Sequence, residues 1–401
     1  MYILILFKPN PNIAVDGNRG TALRSANTNN FLAICLKTGM ETNIERIPVQ
    51  LLTFLQAEKP LIISDFDEKI GNHQVINILS AGKQRKTFPS NRHAESIASD
   101  EQKPNEKNEG WKLDAGKNFN GFKKMHIDFP DSKWFIMLDD DTYLFKNNLL
   151  KHLKTLDYKK PIYIGAPNNF KGCDGVRAMG DGPLFAHGGS GIVLSKAALD
   201  KMAPIADGCN VKYASCWAGD IRTALCLRDA GVLFDRRSAR GDFHGNPVQK
   251  QKFNNPCDKP FTFHHLFPFQ IQLLHDLEMD VQLKRGYDAE VNMGEVFTWF
   301  IFKDPLLKST YSKVKTKTLD VGKSPVQFKY RKGLDLKGSD YEHFKSTLNE
   351  CMVKCYEDEN CVSWTFTSSD NFCWKKDGIP IHLEIKTSYS GWFEEKFICK
   401  N

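Results

Sequence analysis

Three consecutive aspartates, Asp139–Asp141, follow the apolar run Trp134–Leu138 (WFIML). Neighbouring carboxylates repel one another, and a divalent cation with a diphosphate would relieve that repulsion, since hard oxygen ligands suit Mg²⁺ and Mn²⁺. The alternative is a solvated acidic turn in which Asp140 or Asp141 caps the next helix. The apolar run favours the metal site, because ligands bind α/β sheets at the carboxyl ends of their strands.

Two further segments carry groups that could act on a ligand. In Phe185–Leu194 (FAHGGSGIVL), Gly188 and Gly189 let the backbone approach a ligand closely, although the GK[ST] of a P-loop is absent. Cys216–Asp220 (CWAGD) ends at the start of a predicted helix, where Asp220 could take a proton as a general base. The structural alternatives are a tight turn for the glycines and a helix N-cap for Asp220.

A histidine pair lies in Phe261–Leu266 (FTFHHL). Adjacent residues of a strand point to opposite faces, so at most one of His264 and His265 is expected to face a site. A neutral imidazole suits Mn²⁺, while a purely structural histidine is the more common case.

The elements that would position these groups alternate between strands and helices. Four apolar runs predict buried strands, at Phe31–Leu36, Leu61–Ser64, Trp134–Leu138 and Ile162–Gly165. Helical patterns occur at residues 48–57, 147–156, 195–202 (with Ser195 as N-cap) and 219–230. This alternation predicts an α/β sheet domain.

Composition sets the broad class and the domain limits. The 401 residues are 41% hydrophobic and 26% charged, which argues against a disordered, collagen-like or coiled-coil chain. The net charge of +7 comes without a dense basic block, so nucleic acid is not an expected partner.

The start, MYILILF, is far shorter than the roughly 20 residues of a spanning helix and lacks signal-peptide features, so no membrane anchor is visible. We predict a loose tail (1–30), the α/β domain (31–302), a solvated Lys-rich linker (303–324) and a compact module (325–401), with a polar loop at 83–109.

The module is dense in cysteine, with Cys351, Cys355, Cys361, Cys373 and Cys399 in the last 51 residues. Such density indicates disulfides and therefore an oxidising compartment. Zinc is the weaker alternative, since the spacings are not paired CxxC and only two histidines lie nearby.

Taken in order, WFIMLDDDTYLF, FAHGGSGIVLS, CWAGD and FHHL resemble the fringe-like and core 1 β3-galactosyltransferase family, most closely its fungal branch. GWKLDAGKNFNGF, ICLKTGMETNIERIPVQLL and LIISDFDE also resemble that branch. The resemblance spans residues 31–265. It implies a GT-A fold, a Rossmann-like α/β domain that binds a UDP-sugar and Mn²⁺ at a DxD motif. It further implies inverting transfer of a hexose to a glycan or glycoprotein in β1,3 linkage, in the Golgi lumen or elsewhere in the secretory pathway. Galactose is the expected sugar, with N-acetylglucosamine and glucose open.

The same resemblance implies a role for each matching residue. Asp220 would be the catalytic base. The implied metal site consists of Asp141, Asp139 and His264, with Asp139 on the side of the ribose and diphosphate. Nucleotide-sugar contacts are implied for Lys37, Thr38, Arg46, Asp65 and Asp140, and sugar contacts for Gly188, Gly189 and Trp217. The role of Lys117 is left open, because DAGKNF departs from the family pattern.

The C-terminal module resembles a small α+β PAN/Apple domain in CMVKCYEDENCVSWTFTSSDNFCWKK and SGWF. Such modules bind carbohydrate or protein and carry no chemistry of their own. The resemblance implies the bridges Cys351–Cys373 and Cys355–Cys361, with Cys399 free or paired elsewhere. In the larger domain, Cys216–Cys257 is a candidate bridge, and the pairing of Cys35, Cys173, Cys209 and Cys226 is open.

The leading hypothesis is therefore a metal-dependent, inverting glycosyltransferase. The main alternative is a non-catalytic carbohydrate-binding protein, a GT-A relic that presents its PAN module. The presence of every implied acidic and histidine position favours the enzyme. A metal-dependent hydrolase is disfavoured, because the sequence offers no second His/Asp cluster of the two-metal type.

Overall fold

The computed structural model describes residues 30–79, 113–169, 184–236, 242–245, 255–303, 314–337, 340–378 and 381–399. The predicted tail, apart from Asn30, and the predicted loop at 83–109 lie outside the described residues. The strands are β1 Leu32–Lys37, β2 Leu61–Ser64, β3 Glu68–Ile70, β4 His73–Asn77, β5 Trp134–Asp139, β6 Tyr143–Leu144, β7 Tyr163–Gly165, β8 Pro167–Asn168, β9 Phe185–Ala186, β10 Ile192–Ser195, β11 Phe243–His244, β12 Thr262–Phe263, β13 Lys315–Val321, β14 Ser324–Lys337, β15 Asp340–Lys345, β16 Ser363–Thr367, β17 Phe372–Lys376 and β18 Ile381–Trp392. The α-helices are α1 Asn43–Leu52, α2 Lys117–Asp128, α3 Lys146–Leu153, α4 Lys196–Met202, α5 Ala206–Lys212, α6 Gly219–Asp229, α7 Pro268–Arg285, α8 Met293–Lys303 and α9 Leu348–Glu357.

The central sheet has the strand order β3-β4-β2-β1-β5-β10-β7. Strands β4, β2, β1 and β5 run parallel, and β10 is antiparallel to both β5 and β7. The register of β1 on β5 runs from Leu32 opposite Trp134 to Lys37 opposite Asp139. The carboxyl ends of these two strands therefore bring Lys37 and Asp139 to the same edge of the sheet.

Both faces of this sheet are covered, which explains why its strands appear in the sequence as nearly continuous apolar runs. Leu32, Ile34 and Leu36 of β1 belong to the buried cluster that includes α1 and α7. Ala33 and Cys35, on the other face, belong to the cluster that includes α2 and α6. The predicted α/β class is confirmed.

The helix predicted at residues 48–57 is misplaced, because α1 begins at Asn43 and carries Pro48 in its interior. Contacts distant in sequence hold this helix, since Arg46 and Gln50 bind the aspartate turn after β5. The other predicted helices lie within a few residues of α3, α4 and α6. Ser195 caps α4 as predicted, and its Oγ accepts the Ala198 N–H at 3.2 Å.

The C-terminal module is built on a second sheet of order β13-β14-β18-β16-β17-β15. Helix α9 packs on one face, where Cys351, Trp364, Phe366 and Cys373 form the buried core. The predicted linker is wrong in part, because β13 (Lys315–Val321) is a full strand paired with β14. Leu319 and Val321 of this strand pack against the module's core, and the residues that alternate with them, Thr318 and Asp320, are exposed.

The disulfides connect the module internally and to the larger domain. Cys351–Cys373 and Cys355–Cys361 are both present. Cys257 pairs with Cys399, so the candidate bridge Cys216–Cys257 is wrong. Cys216 is disulfide-bonded, Cys209 pairs with Cys226 between α5 and α6, and Cys35 is a buried free thiol.

The Cys257–Cys399 bridge lies at a packed contact between the module and α8. Phe397 stacks on Phe297 with 6.3 Å between ring centroids. Phe397, Trp392 and Val362 belong to the same buried cluster as Phe297 and Leu274 of α7. The end of the chain thus joins the core beneath α7, the helix that follows the histidine pair. Among the described residues, no helix is long and apolar enough to cross a membrane.

Candidate active site

The middle aspartate of the triplet is committed to structural contacts. Asp140 is 5% exposed. Its Oδ2 accepts the hydroxyls of Thr38 and Thr42, each at 2.6 Å, and its Oδ1 accepts Arg46 Nη1 at 2.9 Å. Asp140 therefore ties α1 to the turn after β5. Neither Asp140 nor Asp141 caps the next helix, because the N-cap of α3 is Phe145.

Lys37 bridges two carboxylates at the strand ends. Its Nζ lies 2.7 Å from Asp114 Oδ2 and 3.1 Å from Asp139 Oδ1. Burial alone would lower the pKa of Lys37, but Asp114 and Asp139 raise it above its ordinary value, so the ammonium stays charged. Burial raises the pKa of Asp139 to about 6, although Lys37 opposes the shift.

A second lysine, Lys117 of α2, is buried behind this edge. Its Nζ donates to Asp65 Oδ1 at 3.1 Å and to the Thr38 carbonyl at 2.8 Å. Asp65 also accepts the Met40 N–H at 3.1 Å. Burial would raise the pKa of Asp65, but Lys117 and the Met40 N–H bring it below its ordinary value. Lys117 therefore fixes the loop that follows β1, which accounts for a residue whose role the sequence left open.

His264 is brought to Asp141 by a short antiparallel pairing. Phe263 of β12 lies opposite Tyr143 of β6, so the residues just beyond this pair meet. His264 Nε2 lies 3.2 Å from Asp141 Oδ1, while Arg46 Nη1 donates to Asp141 Oδ2 at 3.0 Å. Burial would raise the pKa of Asp141, but His264 and Arg46 hold it well below the ordinary range. Asp141 is therefore an ionised carboxylate at neutral pH.

The two histidines do not point to opposite faces, as a continuing strand would require. Strand β12 ends at Phe263, and His265 adopts the left-handed region with a φ of 61°. The rings of His264 and His265 consequently lie 3.7 Å apart, centroid to centroid. Such a conformation is uncommon for a residue other than glycine and occurs often at functional sites.

Two consecutive glycines adjoin both His264 and Asp220. A Cβ on Gly189 would lie only 2.0 Å from His264 Cε1, so only glycine allows the ring to pack there. Thr142 Oγ1 donates to the Gly189 carbonyl at 2.6 Å, which ties the turn to the aspartate segment. Gly188 N–H donates to Asp220 Oδ2 at 3.0 Å.

Asp220 lies in the first turn of α6, after the N-cap residue Ala218. Its Oδ1 accepts its neighbour's N–H, from Ile221, at 2.7 Å. Burial raises the pKa of Asp220 although the N–H groups of Gly188 and Ile221 oppose the shift. The carboxylate is thus held in place and has an increased proton affinity, which suits a general base. Trp217, three residues earlier, is 48% exposed.

The donor set can be tested for a divalent ion. Among the described residues, no group of three His, Cys, Asp or Glu side chains forms a closed metal site. However, Asp139 Oδ1 and Asp141 Oδ1 are buried, and within the described part of the chain their contacts are the ionic ones with Lys37 Nζ at 3.1 Å and His264 Nε2 at 3.2 Å, which lack good hydrogen-bond geometry. The 3.2 Å between Asp141 Oδ1 and His264 Nε2 is close to the ~3 Å between neighbouring ligands on an octahedral ion. Mg²⁺-type sites commonly use one or two protein ligands plus phosphates and water, so Asp141 and His264 fit such an ion.

Two site residues were not predicted. Asp114 lies in the noted segment LDAGKNF, but nothing local indicates its ion pair with Lys37. His187 precedes the glycine pair, and its ring centroid lies 5.4 Å from that of His264. Burial, followed by the neighbouring His264, lowers the pKa of His187 to about 4.

Comparison with known proteins finds two described domain families in this chain. The family described as "Fringe-like" matches residues 27–222, which include the aspartate triplet, the glycine pair and Asp220. The family described as "PAN domain" matches residues 334–376. The chain carries a Fringe-like domain and a PAN domain. A third family, described as a protein of unknown function (DUF604), matches residues 183–266, which run from the glycine segment to the histidine pair.

Individual relatives are similar over short stretches. The β-1,3-N-acetylglucosaminyltransferase radical fringe of Xenopus laevis is 38% identical over 80 residues, which are 18% of this chain and 24% of that protein. Human chondroitin sulfate synthase 3 is 29% identical over 121 residues, 29% of this chain and 13% of that protein. The chain thus matches less than a quarter of the length of either relative.

A solved glycosyltransferase, involved in the glycosylation of the major capsid of PBCV-1, overlaps 44% of this chain and 67% of that structure. Its TM-score is 0.19 at 13% identity.

Proposed function

We propose that the Fringe-like domain is an inverting glycosyltransferase that moves a hexose from a UDP-sugar to a hydroxyl of a glycan, in β1,3 linkage. The observation that carries the proposal is the geometry at Gly188 and Gly189. These glycines hold a carboxylate of raised pKa, Asp220, beside the pair Asp141 and His264. A base on one side of a reacting sugar and an anion-binding site on the other are the two requirements of a single inverting displacement.

In the proposed reaction, Asp220 takes the proton of the acceptor hydroxyl as its oxygen attacks the anomeric carbon. The new C–O bond forms while the bond from that carbon to the diphosphate breaks, and UDP leaves with the electron pair. Asp141 and His264 would hold a divalent ion, Mn²⁺ by expectation, which when bound offsets the charge on the diphosphate. Lys37 places a permanent positive charge at the same edge, paired with Asp139 and Asp114.

The donor sugar is a separate question. The sequence resemblance favoured galactose, whereas the relatives named above include an N-acetylglucosaminyltransferase. A chondroitin sulfate glucuronyltransferase from human is also similar, at 31% identity over 88 residues. The donor panel should therefore contain UDP-galactose, UDP-glucose, UDP-N-acetylglucosamine and UDP-glucuronate.

The disulfides of the described residues support a location in an oxidising compartment, and we propose the lumen of the secretory pathway. The PAN domain is proposed to bind a carbohydrate or protein ligand and so to recruit the acceptor. Its packing against α8 would hold any such ligand at a constant distance from the transfer site.

The test is UDP release from each donor, with and without Mn²⁺, by the wild-type protein and by Asp220→Asn. We expect Mn²⁺-dependent release with one or more donors, and a loss of at least 100-fold in Asp220→Asn with UDP affinity nearly unchanged. Asp229→Asn is the matched control, since Asp229 ends the same helix and pairs with Lys212 on the surface. UDP binding without turnover of any donor would instead support the non-catalytic carbohydrate-binding alternative.

A further inference from the structure

His187 is a polar side chain at the site to which the proposed reaction gives no role. It follows β9 directly and precedes the glycine pair. Its ring packs beside that of the candidate metal ligand His264, and the next residue, Gly188, binds the candidate base Asp220. The ring therefore adjoins the group that would hold the diphosphate, and it is one residue along the chain from the glycine that binds the candidate base.

The backbone around His187 is fixed on both sides. Its own N–H donates to the Ala166 carbonyl at 2.8 Å, and the preceding Ala186 N–H donates to the Tyr163 hydroxyl at 2.7 Å. The following Gly188 N–H is held by Asp220. A side chain on such a backbone is pre-organised, which is what recognition of a ligand requires.

The side chain of His187 remains partly exposed. The side-chain contact described for its Nδ1 is with Ser190 Oγ, at 3.5 Å, the outer limit for a hydrogen bond. A neutral imidazole offers one hydrogen-bond donor and one acceptor, so it can either donate to a sugar hydroxyl or accept from one.

In the proposed reaction, the transferred sugar lies next to the turn that carries His187. Its anomeric carbon has to lie between the leaving diphosphate and the incoming hydroxyl, and its ring must extend beside the line that joins them. A hydrogen-bonding group placed there discriminates between hydroxyl patterns far better than an apolar wall, because the wrong sugar leaves a polar group unpaired.

We propose that His187 hydrogen-bonds to the hydroxyl groups of the transferred hexose and is a specificity-determining residue for the donor. This inference rests on the proposed glycosyltransferase function, and it names the part of the donor that His187 contacts. It assigns no role to His187 in binding the uridine or the diphosphate.

The experiment compares wild type, His187→Ala and His187→Gln for Mn²⁺-dependent affinity for UDP and for kcat/KM with the donor panel. His187→Ala should keep its UDP affinity within twofold while the ratio of kcat/KM for UDP-galactose to that for UDP-glucose changes at least tenfold. His187→Gln, which keeps a donor and an acceptor, should recover part of the ratio. His126→Ala is the matched control, since that histidine pairs with Asp200 on the surface of α2.

Two results would overturn the inference. One is an unchanged donor ratio with a uniform fall in activity. The other is a loss of UDP affinity equal to the loss of UDP-sugar affinity, because His187 would then act only through His264. Failure of the proposed function has a different signature: the wild type itself would turn over no donor, and UDP-sugars would bind it no more tightly than UDP does.

Discussion

The carboxylate of Asp220 and the ring of His264 lie against two consecutive glycines, Gly188 and Gly189. The Gly188 N–H donates to Asp220. Gly189 has no side chain, which leaves room for the His264 ring. A base and a metal ligand from distant parts of the chain are thereby brought to one turn.

Gly189→Ala should displace His264, since the added Cβ would lie 2.0 Å from the ring. We expect the Mn²⁺-dependent part of UDP affinity to fall at least tenfold, with unchanged secondary structure by circular dichroism. Gly208→Ala is the control, because a Cβ there meets nothing within 4 Å. Titration calorimetry with UDP and Mn²⁺ would decide, and equal affinities for the two variants would contradict the role given to His264.

The pH dependence of turnover should reflect Asp220. A base acts only when ionised, and burial raises the pKa of Asp220. We therefore expect kcat/KM to be constant at high pH and to fall as the pH drops through a value above the ordinary range of an aspartate. The measurement is kcat/KM against pH at saturating Mn²⁺. An acid limb at or below the ordinary aspartate pKa would argue against Asp220 as the base.

Removal of Lys117 should leave a buried charge without its partner, because Lys117 and Asp65 have side chains that are each 2% exposed. Lys117→Met is expected to lower the free energy of unfolding by about 3–5 kcal/mol. The double variant Lys117→Met/Asp65→Asn should recover a large part of that loss, since the charge is removed with its partner. Urea unfolding of both variants checks this, and equal losses would mean that the ion pair is not the cause.

The pH dependence of the free energy of unfolding should reflect Glu278, whose carboxyl accepts a hydrogen bond from the Tyr143 hydroxyl. Burial raises the pKa of Glu278 to about 7, so the folded state holds a proton that the unfolded chain releases near its ordinary pKa. The contribution of Glu278 to the free energy of unfolding is therefore greatest at low pH. It decreases by up to about 3 kcal/mol as the pH rises toward 7. Glu278→Gln should flatten that decline in thermal unfolding measured between pH 5 and 8. An unchanged pH profile would assign the decline to other groups.

The Cys257–Cys399 bridge should couple the PAN domain to the transferase domain. It closes a separation of 142 residues, against 6 for Cys355–Cys361. Chain entropy alone gives about 5 kcal/mol for the first and about 2 kcal/mol for the second. We expect the double Ser variant of Cys257 and Cys399 to split calorimetric unfolding into two transitions. The matched double Ser variant of Cys355 and Cys361 should keep the pattern of the wild type, and a split in both would place the effect elsewhere.

Features that depend on local pattern were predictable from the sequence. Strands β1, β2 and β5 are apolar on both faces, so they appear as short apolar runs whatever their neighbours are. The cap by Ser195 is equally local, because its partner Ala198 is three residues away. The residue types needed for the chemistry, three aspartates at a strand end and a histidine after Phe263, were also visible in the sequence.

Only the tertiary structure decided which of these residues meet. The approach of His264 to Asp141 depends on a two-residue pairing between β6 and β12, which is too short to leave a pattern. The left-handed turn at His265, the Cys257–Cys399 bridge and the ion pair of Lys37 with Asp114 are likewise contacts between segments far apart in the chain. Local preference along a chain reflects the burial and capping of each segment. The distance between two side chains depends on how whole elements pack, and that packing is what brings Asp220, His187 and His264 to the same pair of glycines.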